Sequence, residues 1–449
     1  MINKFLYLPD NLDEFAKIMI VLVVFIGLCV FSFSSRYMRG DKKYHLFCIQ
    51  LTLLIFSVSI TVSTDNLAIL FSSWCLSNVT LAFLMIHKAS WKAAKNSGIL
   101  ALKNYGLGAL SIGTAFIIFY LKTKEISIKA ILNQGQNLES ISTIIALILI
   151  LIGAMTQSGI WPFNRWLISS LNSPTPVSAI MHAGLVNGSG IILVRFSPLY
   201  LQHPDLLTCI FLIGITTALI GTLWKLMQSD IKRMLACSTM AQMGFMLAQC
   251  GLGLFPAAVA HLVWHSLFKA YLFLSSGSSA QEKRFDLNQP INLITFICGL
   301  LCGAAGSVSF GYASSKSWLV SDTTLVLMVV SFLATSQLAI SMLGKISIKR
   351  FLLALVTTLL AGLSYGFSVQ FVTWAIKPLY LMDPQPINWA HILGIILFSA
   401  AWLSILLVRN KDKTTSFSPL MLRCYVTALN FSQPHPHTVT THRNHYNYQ

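Results

Sequence analysis

In the stretch FPAAVAHLVWHSLFKAYLFLSSGS, residues 255–278, two imidazoles and an ammonium recur every four positions among apolar side chains: His261, His265 and Lys269. Residues four apart lie nearly one above another on an α-helix, so the three form a single column about 12 Å long at about 1.5 Å per residue. Imidazoles titrate near neutral pH, and a buried amine gains and loses a proton at accessible cost. A file of such groups joined by water passes protons. The competing chemistry for an HxxxH pair is zinc. HLVWH, however, lacks the glutamate of the metalloprotease HExxH, no carboxylate or cysteine follows at ligand spacing, and an ammonium one turn away repels a dication. The column therefore reads as an ion-translocation path and not as a metal site.

A helix this apolar belongs in a lipid bilayer. The chain has 449 residues, 55% of them hydrophobic, a mean hydropathy of +0.69 and only 10% charged residues, where soluble domains carry about a quarter. Apolar runs long enough to cross a hydrocarbon core of about 30 Å recur at 17–35, 44–63, 66–87, 98–121, 140–157, 178–197, 207–227, 233–251, 255–279, 289–313, 322–343, 350–374 and 389–408. The expected fold is an all-α polytopic membrane protein of about 13–14 transmembrane helices. It divides into a transmembrane domain over 1–408 and a polar tail over 409–449. The first run follows a mixed-charge stretch without a small-residue cleavage site, so it reads as a retained span.

The formal net charge of +17 is a matter of topology and does not point to a nucleic-acid partner. Most of the Lys and Arg residues between spans follow odd-numbered spans, for example Arg36, Arg39, Lys42 and Lys43, then Lys88, Lys92 and Lys95, then Lys345 and Lys349. By the positive-inside rule those loops and the C-terminus are cytoplasmic and the N-terminus is outside. The nine cysteines lie mostly within spans, with no CxxC pair, and read as small hydrophobes.

A charge at the bilayer centre costs about 2.5–3.5 kcal/mol or more, so the other intramembrane ionisable residues are candidates by default. They are Lys103, His182 and Lys225, with Asp65, Asp230 and His391 at span ends. His182 directly follows SPTP and fits a relay member or a structural histidine equally well. Lys225 lies five residues before Asp230, where interfacial anchoring competes with a role in translocation, and Asp230 in SDIKR also fits a helix start. Two stretches read as broken helices, LNSPTP with Pro174 and Pro176, and GLGLFP with Gly251 and Pro256. Backbone left unpaired at membrane depth lines a cavity, and in transporters such breaks mark ion sites. In the tail, PLMLRCYVTALN fits a short amphipathic helix on the membrane surface or against a partner. The stretch with His435, His437, His442 and His445 reads as a solvated terminus, with docking onto a partner as the alternative.

Three stretches, SPTPVSAIMHAGLVNGSG (173–190), DIKRMLACSTMAQMGF (230–245) and AHLVWHSLFKAYLFLSSGS (260–278), resemble the antiporter-like subunits of respiratory complex I and of multisubunit cation/proton antiporters. The resemblance implies about fourteen helices in two inverted repeats, each with a broken helix, and a central line of Lys, His and Glu that moves protons. His261, His265 and Lys269 fall on that family's HxxxHxxxK column, and His182 on its histidine after PTP. Two positions depart: Cys75 stands in SSWCLS where respiratory members carry a glutamate, and Gln157 stands where they carry a lysine. The stretches WPFNRWLISSLNSPTP and MHAGLVNGSGIILVRFSPL, and the tail ending ALNFSQPHPHTVTTHRNHY, are similar to a second subfamily, the DabB membrane subunits of the bacterial inorganic-carbon accumulation complex. That similarity implies an inner-membrane subunit that couples H+ or Na+ flow to CO2/bicarbonate uptake. Its cytoplasmic partner, DabA, is related to carbonic anhydrases and carries the zinc, so this chain itself is a transporter subunit, not an enzyme, and needs no cofactor. Two alternatives stay open: a proton-translocating subunit of a quinone oxidoreductase or cation/proton antiporter, and a structural subunit that conducts nothing.

Overall fold

The computed structural model of the chain describes residues 12–134, 140–277, 292–344, 347–377, 382–409 and 418–439. Runs of apolar residues leave the backbone no partner but itself, and the chain answers with helices throughout. In order they are α1 (Glu14–Tyr37), α2 (Tyr44–Ser63), α3 (Leu67–Met85), α4 (Lys92–Thr123), α5 (Ile128–Asn133), α6 (Ile141–Ser158), α7 (Arg165–Ile168), α8 (Thr175–Ala183), α9 (Gly188–Arg195), α10 (Ser197–Tyr200), α11 (Pro204–Met227), α12 (Ile231–Gly251), α13 (Phe255–Leu274), α14 (Leu293–Ser314), α15 (Thr324–Leu343), α16 (Ile348–Ala375), α17 (Trp389–Arg409) and α18 (Pro419–Phe431). Twelve described segments are long and apolar enough to cross a membrane, α8 and α9 counting as the one segment Thr175–Arg195. The thirteenth expected span is α12, which is more polar and packs against both α11 and α13. Polar residues start many of these helices by accepting from first-turn amides: Asp13 from Ala16, Asn66 from Ala68 and Ile69, Asp230 from Arg233, and Asn292 from Thr295.

The segment Thr175–Arg195 is buried along nearly its whole length and forms the centre of the bundle, whereas only about a quarter of α16 and α17, at its edge, is buried. Around that centre α1, α3, α6, α12 and α13 all touch α8 or α9. Arg195, in the last turn of α9, ties three elements together. Its guanidinium donates to the Asp13 carboxylate and to the carbonyl of Val62, and lies 5.5 Å from the Phe15 ring centroid. On the other side α11 and α12 approach through small residues, a Cβ on Gly214 or Gly244 falling onto the backbone of the facing helix.

The two proline stretches lie at helix boundaries: Ser173 and Pro174 separate the turn Ser170–Asn172 from α8, and residues 252–254 separate α12 from α13. Pro174 is the residue before α8 and Pro176 is in its first turn, Gly251 ends α12, and Pro256 is the second residue of α13. A proline in the first turn lacks only an amide hydrogen that the helix leaves unbonded, so it starts a helix without breaking one. Two further interruptions, not expected from the sequence, are residues 159–164, between α6 and α7, and residues 184–187, where a 3₁₀ turn separates α8 from α9.

The tail also departs from the solvated expectation. The PLMLRCYVTALN stretch is helical as α18, with no buried residue. Beyond it the chain straps onto the membrane domain. Ser432 Oγ accepts from Gln228 at 2.9 Å, and Gln433 Oε1 from Arg233 at 3.2 Å. His435 N donates to Ser169 Oγ at 2.9 Å, while the carbonyls of His437 and Thr438 accept from Asn96 and Asn172, each at 2.8 Å. Backbone groups carry most of this docking, so the histidine count gave no sign of it. His442 and His445 lie outside the described residues.

Candidate functional site

The column on α13 forms as its spacing requires. His261 and His265 are buried with ring centroids 6.1 Å apart and planes within 17°, and Lys269 is 0% exposed. Lys269 Nζ donates to the carbonyl of Leu235 on α12 at 3.2 Å. The ion pairs among the described residues, Lys17 with Glu14, His87 with Asp41 and Arg195 with Asp13, all lie elsewhere. A single carbonyl dipole compensates an ammonium poorly, so this lysine is held where a change of its charge state has large consequences. The Nε2 atoms of His261 and His265 make no hydrogen bond among the described residues.

His182 joins the column from α8. Its ring stacks on Phe273, one turn beyond Lys269, with centroids 4.3 Å apart and planes within 11°, and its Nδ1 is buried without a protein partner. The break after α8 thus places the histidine beside the far end of the column.

Below that break a second, neutral polar group forms. Asn187 Nδ2 donates to Ser266 Oγ on α13 at 2.6 Å and to the Ala183 carbonyl at 3.0 Å. Ser158, the last residue of α6, donates through Oγ to the carbonyl of Val186 and lies 2.6 Å from Ser189 Oγ. The end of α6 therefore meets the 184–187 turn and satisfies part of that turn's backbone. Gln157 donates to Asn78 Oδ1 on α3 at 2.9 Å, and its own Oε1 rests against the Cα of Gly188, where any Cβ would collide with it. Asn78 and Gln157 so form a neutral hydrogen-bonded pair, with Asn78 one turn on from Cys75 along α3.

Other expected residues stay outside. Lys225 is exposed in the last turn of α11, Asp230 accepts from Arg233 N at 2.9 Å as the N-cap of α12, and Lys103 is exposed on α4. His391 is buried against Phe211 and accepts from Asn388 N at 3.2 Å. Gln249 donates to Tyr365 on α16 at 3.4 Å, close to the start of α13. Asn78, Ser158, Asn187 and Ser266 were not singled out from the sequence. A ranking by the cost of burying charge passes over neutral amides and hydroxyls, although an asparagine inside AGLVNGSG was a readable signal.

The family model for the NADH:quinone oxidoreductase/Mrp antiporter transmembrane region matches residues 64–301, and that for the NADH-ubiquinone oxidoreductase (complex I) chain 5 N-terminus matches residues 10–48. Over 422 residues the chain is 32% identical to a protein of Bacillus anthracis described as a probable inorganic carbon transporter subunit DabB, covering 91% of this chain and 80% of that one. A Bacillus subtilis protein of the same description is 36% identical over 310 residues, 68% of this chain and 60% of that one. The chloroplastic NAD(P)H-quinone oxidoreductase subunit 5 of Saccharum officinarum is 31% identical over 350 residues, 71% of this chain and 47% of that one. The chain thus spans only about half to three fifths of the length of the latter two relatives. Among solved structures, the Mrp complex from Dietzia sp. DQ12-45-1b shares the fold, with a TM-score of 0.57 and 22% identity over 93% of this chain and 48% of that one.

Proposed function

Because the chain belongs to the NADH:quinone oxidoreductase/Mrp antiporter family of membrane subunits, we propose that it conducts a cation, H+ or Na+, and couples that flow to inorganic-carbon uptake. The observation that carries the reading is the buried His261, His265 and Lys269 column, joined by His182 at a helix interruption and holding several nitrogen atoms without protein partners. Groups that can exchange protons, lined up through a bilayer-spanning bundle beside unwound backbone, suit translocation and leave substrate chemistry to another subunit.

In this reading the carbon chemistry, CO2 hydration to bicarbonate, belongs to a cytoplasmic zinc-containing partner related to carbonic anhydrases. The likeness to proteins described as DabB favours carbon uptake over quinone reduction. The protein sits in the bacterial inner membrane with its N-terminus outside and its C-terminus cytoplasmic, the side on which the basic loops lie. A change of charge at Lys269 shifts α12 against α13 through the Leu235 carbonyl. Motion at the α6/α7 interruption reaches the cytoplasmic face through Ser169 and Asn172, which hold the C-terminal strap.

The test is growth rescue in ambient air of a bacterium lacking carbonic anhydrase, with the chain expressed alone, with a soluble zinc protein of the DabA type, and as Lys269→Ala with that protein. Rescue by the intact pair only, with bicarbonate uptake abolished by a protonophore or a sodium ionophore, supports the proposal. An assembled pair that fails to rescue, but exchanges cations for protons in vesicles, assigns the chain to antiport instead. Rescue undiminished in Lys269→Ala makes it a structural subunit.

A further inference from the structure

The neutral group where the end of α6 meets the 184–187 turn has an imbalance of donors and acceptors. The Ala183 carbonyl can only accept, and Ser266 Oγ directs its proton to the Leu262 carbonyl at 2.7 Å. The amino group of Asn187 therefore supplies both of its contacts, and its Oδ1, on a side chain 0% exposed, is left with no donor. Gln157 is 2% exposed, directs its amino group to Asn78 and likewise leaves Oε1 without a donor. Ser158 gives its proton to the Val186 carbonyl and receives the Ser189 amide at 3.3 Å, so its 2.6 Å contact with Ser189 Oγ uses the Ser189 hydroxyl proton, and neither serine adds a donor for the two amide oxygens. Oε1 of Gln157 touches Gly188, the residue next to Asn187. Two buried, lone acceptor oxygens thus belong to or abut the 184–187 turn, with Asp, Glu, Lys and His missing from the group that Asn78, Gln157, Ser158, Asn187, Ser189 and Ser266 make.

We propose that Gln157 Oε1 and Asn187 Oδ1, with carbonyls of the 184–187 turn, form a binding site for a dehydrated, sodium-sized monovalent cation. The inference rests on the cation-conducting reading above and names the ion that this part of the path takes. Amide and carbonyl oxygens replace the hydration shell of an alkali cation, and unwound backbone between two half-helices supplies such carbonyls. The same groups cannot serve as a proton station, since neither amide gains or loses a proton near neutral pH. A sodium ion without its water is no larger than a water molecule, so the group needs no wide chamber. Lys269, one turn beyond Ser266 on α13, places an ammonium near the same path, and like charges there disfavour joint occupancy.

The experiment is binding of radioactive sodium to the full-length chain in lipid nanodiscs, competed with unlabelled Na+, Li+ and K+. Saturable binding displaced by Na+ and Li+ more readily than by K+ is expected, weakened at least tenfold in Gln157→Leu and in Asn187→Leu. Gln157→Glu keeps the shape and adds charge, so it binds Na+ about tenfold more tightly, a gain that a structural role does not produce. Lys269→Ala removes the like charge and so binds sodium more tightly although transport is lost. No saturable sodium binding by the wild-type chain overturns the proposal and leaves the two oxygens to water. Binding that survives both leucine variants, folded by their thermal midpoints, also overturns it. If the site fails while protonophore-sensitive carbon uptake persists, the functional reading stands with H+ as its ion.

Discussion

His182 on α8 stacks face to face on Phe273 of α13, with ring centroids 4.3 Å apart. The contact fixes a histidine that follows the prolines at 174 and 176 against the end of a column written some ninety residues later, and it makes the helix interruption and the column one unit. An aromatic pair of this kind contributes about 0.5–1.5 kcal/mol beyond its burial. Phe273→Leu is expected to keep expression and fold while lowering cation-driven uptake severalfold. Uptake at the wild-type rate with a displaced His182 ring, seen in the variant's structure, would show that the stacking is only packing.

Lys269 donates to one carbonyl and has no carboxylate against it among the described residues. Replacing a poorly compensated buried charge by an apolar side chain of similar length is often neutral or stabilising, by about 1–4 kcal/mol. Lys269→Met is therefore expected to abolish transport while leaving the thermal midpoint unchanged or raised. A variant that unfolds would assign the lysine to structure.

Arg195 has the opposite character. It is bound by the Asp13 carboxylate and the Val62 carbonyl, and it fastens the start of α1 and the end of α2 to the end of α9. Arg195→Met leaves that carboxylate without its partner, with an expected loss of about 2 kcal/mol. Chemical denaturation in detergent measures the loss, and Asp13→Asn together with Arg195→Met is expected to recover part of it.

The C-terminal strap responds to acid. Burial, and then the charges of Arg165, His437 and Lys103, hold the His435 imidazole below its ordinary value when the strap is docked. A free tail protonates near pH 6.5, so docking is complete above that pH and weakens as the pH falls below it, because the undocked state takes up more protons. Nitroxide labels at Lys95 and Val439, both exposed, are expected to broaden in distance between pH 7 and pH 5. In His435→Gln the distance is expected to stay constant, and a wild-type distance independent of pH would remove His435 as the cause.

The spans were readable because bilayer crossing imposes length and apolarity on contiguous residues, so α11, read as 207–227 and found as Pro204–Met227, needed no tertiary information. The α13 column was readable for a related reason: a charge in such a helix is costly, and four-residue spacing fixes a shared face. The interruptions at 159–164 and 184–187 were not. Proline marks a helix start as readily as a helix break, and only packing against α6 shows that the unwound turn is at Gly184–Asn187.

By itself, then, the sequence determined that the chain is a helical membrane protein and that α13 carries titratable groups on one face. Tertiary structure alone decided that Gln157 pairs with Asn78, that Asn187 reaches Ser266, and that the tail closes over Ser169 and Asn172. The reason is locality. Hydropathy and helical period are properties of neighbouring residues, whereas a hydrogen bond across 79 positions exists only once the fold brings α6 to α3 and α9 to α13.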